Sequence, residues 1–83
     1  MVRTMTKGIW LVCKVDGERL PITYKELEFL VSHAYGHKIS ELFKIEIAKD
    51  YKYFMKAINL CLDYGIHFRS VWEDGKERVV SLY

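Results

Sequence analysis

Eighty-three residues make one small domain, near the size where a single core is only marginally sufficient. The chain is 51% hydrophobic and 14% aromatic, which excludes a disordered tail and supplies material for one core. A formal net charge of +2 permits nucleic-acid binding without arguing for it, since dedicated binders usually carry a larger basic excess. No apolar run approaches the roughly 18 residues of a membrane span, and Met1 to Lys7 lacks a secretory apolar region, so the expectation is a cytoplasmic protein. Cys13 and Cys61, each in an apolar run, read as reduced thiols packed like small hydrophobes.

The first element expected is a strand over Gly8–Val15, where apolar residues are almost unbroken, closed by a turn at Asp16-Gly17. Leu20 to Ile22 can pair back before the first helix. That helix has the clearest local signal. Thr23 and Glu26 have capping-box spacing, Ile22 and Leu27 that of a hydrophobic staple, and Leu27, Leu30, Val31 and Ala34 form one face. Gly36 is placed to end it.

Residues 38–48 carry two patterns. Ile39, Leu42 and Phe43 fit a helix, whereas Phe43, Ile45 and Ile47 alternate as in a strand. The helix is the preferred reading, because a parallel strand here would sit between two short connections. A third helix is expected from Asp50, a good N-cap, to Tyr64, with Phe54, Ala57, Ile58, Cys61 and Leu62 inside and Gly65 as the stop. Strands over Ile66–Trp72 and Arg78–Tyr83 then form a hairpin. A three-residue loop at Glu73-Asp74-Gly75 would set Phe68 opposite Val80 and Ile66 opposite Leu82. The expected fold is one α+β domain over residues 1–83 with an N-terminal strand, three helices and a C-terminal β-hairpin. A βαβαββ two-layer sandwich is the alternative.

The candidate binding residues follow from this layout. Lys49, Lys52, Lys56, Asn59 and Asp63 fall on one stripe of the third helix, with Tyr53 beside its start. Three ammonium groups suit phosphates, and Asn59 can pair with adenine. Arg69, Lys76 and Arg78 lie on or near the hairpin, where they can reach adjacent phosphates. The competing reading is an ordinary solvated face, with Asp50, Asp63, Glu73, Asp74 and Glu77 diluting the charge. His33 and His37 are four apart, but no cysteine or carboxylate stands at ligand spacing, so no metal site or other cofactor is expected. There is no phosphate loop, nucleophile elbow or nucleophilic triad spacing, so no enzymatic activity is expected.

From Thr23 to Tyr83 the succession of elements resembles the winged helix-turn-helix superfamily. The resemblance is carried by Ile39-Ser40-Glu41-Leu42-Phe43 as helix two, Phe54, Ile58 and Cys61 inside helix three, Gly65-Ile66 at its exit, and Asp74-Gly75 at the wing tip. It departs from that pattern in the long segment Lys44–Lys49 and in the strand at Gly8–Val15. The resemblance implies a small non-enzymatic DNA-binding protein with helix three in the major groove and the hairpin as wing, its partner being duplex DNA. The second class of function is an accessory subunit that docks on a protein partner or on itself. The apolar strand, with Ile9, Trp10 and Leu11, would then be a partner-binding edge, and a homodimer is expected from it.

Overall fold

β1 (Ile9–Cys13) alternates Ile9, Leu11 and Cys13 toward one side of the sheet with Trp10 and Val12 toward the other. The turn after it uses Gly17 at φ 76, and the Gly17 N–H donates to the Cys13 carbonyl at 2.8 Å. β2 (Arg19–Pro21) returns alongside β1, with Leu11 opposite Leu20. The computed structural model describes residues 8–33, 35 and 38–82. Beyond β2 the chain runs α1 (Tyr24–His33), α2 (Lys38–Leu42), β3 (Phe43–Ala48), α3 (Phe54–Asp63), β4 (Phe68–Glu73) and β5 (Lys76–Ser81). The five strands make one antiparallel sheet in the order β2-β1-β3-β5-β4. The fold is therefore α+β, and no helix among the described residues is long and apolar enough to cross a membrane.

The capping box at α1 forms as its spacing requires. The Thr23 N–H donates to Glu26 Oε1 at 2.7 Å, and the Glu26 N–H donates to Thr23 Oγ1 at 3.1 Å. Ile22 and Leu27 are both buried, placing the staple in the core. After the helix the Tyr35 N–H reaches the Leu30 carbonyl at 3.0 Å. Ala34, the expected stop Gly36, and His37 lie outside the described residues.

Four expectations are corrected. First, the segment 38–48 is not one helix: α2 ends at Leu42 and β3 begins at Phe43. Both patterns in that segment are real, one after the other. The strand is antiparallel, not parallel, pairing β1 through Leu11–Ile45 and β5 through Ile47–Val79. The long elements thus follow the β-α-β-α-β-β order of the sandwich alternative, with β2 and α2 added. A strand, rather than a turn, stands between α2 and α3. Second, α3 begins at Phe54 and Asp50 does not cap it. Residues 48–54 instead fold through bonds from the Tyr51 N–H to the Ala48 carbonyl and from the Phe54 N–H to the Tyr51 carbonyl, both 3.0 Å.

Third, the hairpin loop has two residues. Asp74 at φ 55 and Gly75 at φ 74 both have the positive φ that a type I′ turn demands. Glu73 therefore pairs with Lys76, Phe68 with Ser81 and Arg69 with Val80. This one-residue shift turns β5 over, so Val79 faces the helices and Val80 the opposite side. Fourth, β1 is not an edge, because β2 and β3 pair with it on either side.

The helices cover one side of the sheet. Ile9, Leu27, Val31, Ile45, Ile47, Ala57, Cys61, Ile66 and Val79 form the core between the layers. Tyr35 and Ser81 close one margin of it. Their hydroxyls lie 2.8 Å apart, the Tyr35 hydroxyl donates to the Phe43 carbonyl at 3.2 Å, and Ser81 Oγ accepts from the Ile45 N–H at 3.0 Å. Burial pushes the Tyr35 phenol above its ordinary pKa and the Cys61 thiol up to about 12. Cys13 and Cys61 are both free thiols, the first half-buried and the second buried.

Candidate nucleic-acid interface

Strand order, more than sequence proximity, builds the candidate site. β1, β3 and β5 lie side by side, so the start of β1, the exit from β3 and the start of β5 come together at one end of the sheet. Backbone bonds tie them there. The Ala48 N–H donates to the Gly8 carbonyl at 2.8 Å and the Lys49 N–H to the Glu77 carbonyl at 3.3 Å. Between the 48–53 turn and the hairpin tip opens a cleft of about 820 Å³, lined by Gly8, Trp10, Ala48 to Tyr53, and Gly75 to Arg78.

Gly8 is what admits Tyr51. A Cβ at position 8 would lie inside the van der Waals envelope of the Tyr51 ring, so only glycine lets that ring rest against β1. Tyr53 then meets Tyr51 edge-on, with ring centroids 5.9 Å apart and planes at 79°. Lys52 Nζ stands 5.5 Å over the Tyr53 ring. Burial raises the Tyr51 phenol above its ordinary pKa, reinforced by Tyr53 and Tyr24, so its hydroxyl is a neutral hydrogen-bonding group at physiological pH.

The cleft floor joins a buried ionic cluster on the side of the sheet opposite the helices. Glu46, only 5% exposed, pairs with Arg19 and, at 3.6 Å, with Arg78. Arg78 also donates to Glu73 at 3.1 Å. The Trp10 ring lies beside both guanidiniums, 4.5 Å from Arg19 and 6.0 Å from Arg78. Burial of Glu46 and Arg78 is tolerable because each is paired. Lys49 is held by Glu77 at 3.2 Å, whereas Lys52 and Lys76 form no ion pair among the described residues. Four cations thus line the cleft against two carboxylates, Asp50 and Glu77.

Of the sequence candidates, Lys49, Lys52, Tyr53, Lys76 and Arg78 come together here. Lys56 and Asn59 lie on the exposed flank of α3, with Lys56 Nζ 5.2 Å over the Tyr24 ring. Arg69 is apart from both, on the side opposite the helices in register with Val80. The expected five-residue helical stripe is shortened, since Lys49 and Lys52 precede the first turn of α3. The proposed partner edge also dissolves: Ile9 is fully buried in the core, and Leu11 packs against it from the helix side. Of these three, Trp10 alone lies on the side opposite the helices, as a wall of the cleft. Sequence reasoning missed Glu46 and Arg19 as parts of this region. Glu46, a lone carboxylate amid Phe43, Ile45 and Ile47, was the available signal.

Chemically the cleft offers flat aromatic surface and ammonium groups. Its lining contains no histidine, cysteine, serine or threonine, and no three potential metal ligands gather among the described residues. Comparison with protein-family models, curated proteins and solved structures returns no match.

Proposed function

We propose that this is a small non-enzymatic nucleic-acid-binding protein whose cleft grips the backbone of duplex DNA. One observation carries the reading: Lys49, Lys52, Tyr53, Lys76 and Arg78, from two distant stretches of chain, line one cleft with Trp10 and Tyr51. Ammonium groups neutralise phosphates, and the rings pack on sugars and bases. The duplex reading draws on α3 followed directly by the β4–β5 hairpin, the part of a winged helix that enters and flanks a groove. Lys56 and Asn59 are exposed on α3 outside the cleft, and Asn59 is the group suited to reading a base edge.

The free ammonium groups make the test specific. Lys52→Glu with Lys76→Glu should abolish binding to mixed-sequence duplex, measured by fluorescence anisotropy. Melting should stay nearly unchanged, since exposed substitutions usually fall within about 0.5 kcal/mol. Asn59→Ala should lose sequence preference and keep most non-specific affinity. Retention of parental binding by the double lysine variant would remove the cleft from the account. A second reading, an accessory subunit that docks on protein, rests on the exposed Phe29, Met55 and Trp72, which are 66%, 62% and 70% exposed.

A further inference from the structure

β4 is the outermost strand beside β5, and among the described residues nothing pairs with its far side. The two-residue turn fixes which of its backbone groups are free. Glu73 and Lys76 flank the turn and exchange backbone bonds, so the pairs Val71–Arg78 and Arg69–Val80 do so as well. The bond from the Leu82 N–H to the His67 carbonyl, 2.8 Å, continues that phase. Phe68, Ser70 and Trp72 therefore direct their N–H and C=O groups outward. The sheet's two edges are protected very differently. β2 has three residues and ends on Pro21, whereas β4 has six residues in unbroken register, with no proline, lysine or bulge. On the helix-bearing side of this edge Trp72 is 70% exposed.

We propose that a second copy of this chain pairs with this edge, β4 against β4 antiparallel, with Ser70 opposite the second copy's Ser70. The sequence of the strand is self-complementary about that residue. Phe68 falls opposite the second copy's Trp72, and Trp72 opposite the second copy's Phe68, on the helix-bearing side where aromatic cross-strand pairs stabilise a sheet. On the side opposite the helices Arg69 meets Val71 and His67 meets Glu73, so no like charges face each other. The three outward-facing residues of each copy would exchange about six backbone hydrogen bonds. Other registers fit worse. A twofold axis through Arg69 sets guanidinium against guanidinium. An axis through Val71 puts Phe68 opposite Asp74 of the turn, where the ladder ends. The pairing joins two sheets into one and leaves β1 in the interior of each copy.

The test uses the full chain and the axis itself. Light scattering and sedimentation at tens of micromolar should show a dimer. Ser70→Lys and Ser70→Glu, at an exposed position, should each weaken the dimer about fivefold or more, because each sets like charges directly opposite. An equimolar mixture of the two variants should restore dimer as a mixed pair, a readout that only folded chains can give. A monomeric parent, a charge variant as dimeric as the parent, or a mixture that stays monomeric would each overturn the proposal.

Discussion

Glu46 offers the sharpest energetic test of the structure. It sits near the centre of the sheet on the side opposite the helices, yet it is 5% exposed and receives both Arg19 and Arg78. Arg78 has a side chain only 10% exposed and keeps one other carboxylate partner, Glu73, which is itself 65% exposed. Glu46→Gln preserves shape and removes the charge. Hydrogen bonds to charged groups are worth about 1.5–3 kcal/mol each, and removing one partner of a buried pair costs about 3–5 kcal/mol. Arg19 is 36% exposed and can turn to water, and Glu73 still holds Arg78, so the expected loss is nearer 2–3 kcal/mol. For a domain of this size that lowers the melting temperature by roughly 10–20 °C. Urea unfolding followed by tryptophan fluorescence reports it directly, since Trp10 lies against both arginines. Replacing Glu46 and Arg78 together by leucine should recover most of the loss, because neither charge is then left buried alone. A Glu46→Gln protein within about 0.5 kcal/mol of the parent would refute the buried cluster.

Gly8→Ala should displace the Tyr51 ring, cost about 1–3 kcal/mol as an overpacked contact, and weaken DNA binding more than an exposed substitution does; unaltered stability would show that Tyr51 does not rest on Gly8. The Cys61 thiol, raised from 9.0 to about 12 by burial, stays protonated in the fold while the unfolded chain ionises from about pH 9. Its contribution to stability is therefore complete below pH 9 and lost on going alkaline, by about 1 kcal/mol at pH 10. The alkaline loss measured in Cys61→Ala should be smaller than the parent's by about that amount; equal losses in both would place the thiol outside the core.

The sequence made local elements legible and left their assembly obscure. Thr23, Glu26, Ile22 and Leu27 announced α1 because a capping box and staple involve residues within a single turn. β1 and the Asp16-Gly17 turn were readable for the same reason. The segment 38–48 is ambiguous in sequence because it holds two elements of five and six residues, and Phe43, where they meet, fits both patterns. The hairpin register misled because Val71, Val79 and Val80 give the strands apolar residues on both faces. Asp-Gly was the decisive local signal, because it favours a two-residue I′ turn. Asp50 was a plausible cap on spacing alone, but the chain there is pulled toward β5 by the Lys49–Glu77 pairing. The cleft could not be seen at all from spacing. Residues near positions 10, 50 and 77 meet only because β3 lies between β1 and β5.

In this proposal the cleft and the exposed flank of α3 bind DNA through Lys52, Lys56 and Lys76, which have no ion-pair partner among the described residues. Three such phosphate contacts give a slope of about −2.7 in log affinity against log salt, or an affinity loss of about 40-fold between 50 and 200 mM salt. Equilibrium binding of a labelled mixed-sequence duplex at those two concentrations measures it directly. Measurable affinity at the lower salt and a loss of that order at the higher are expected. An absence of binding at 50 mM, or binding indifferent to salt, would contradict it.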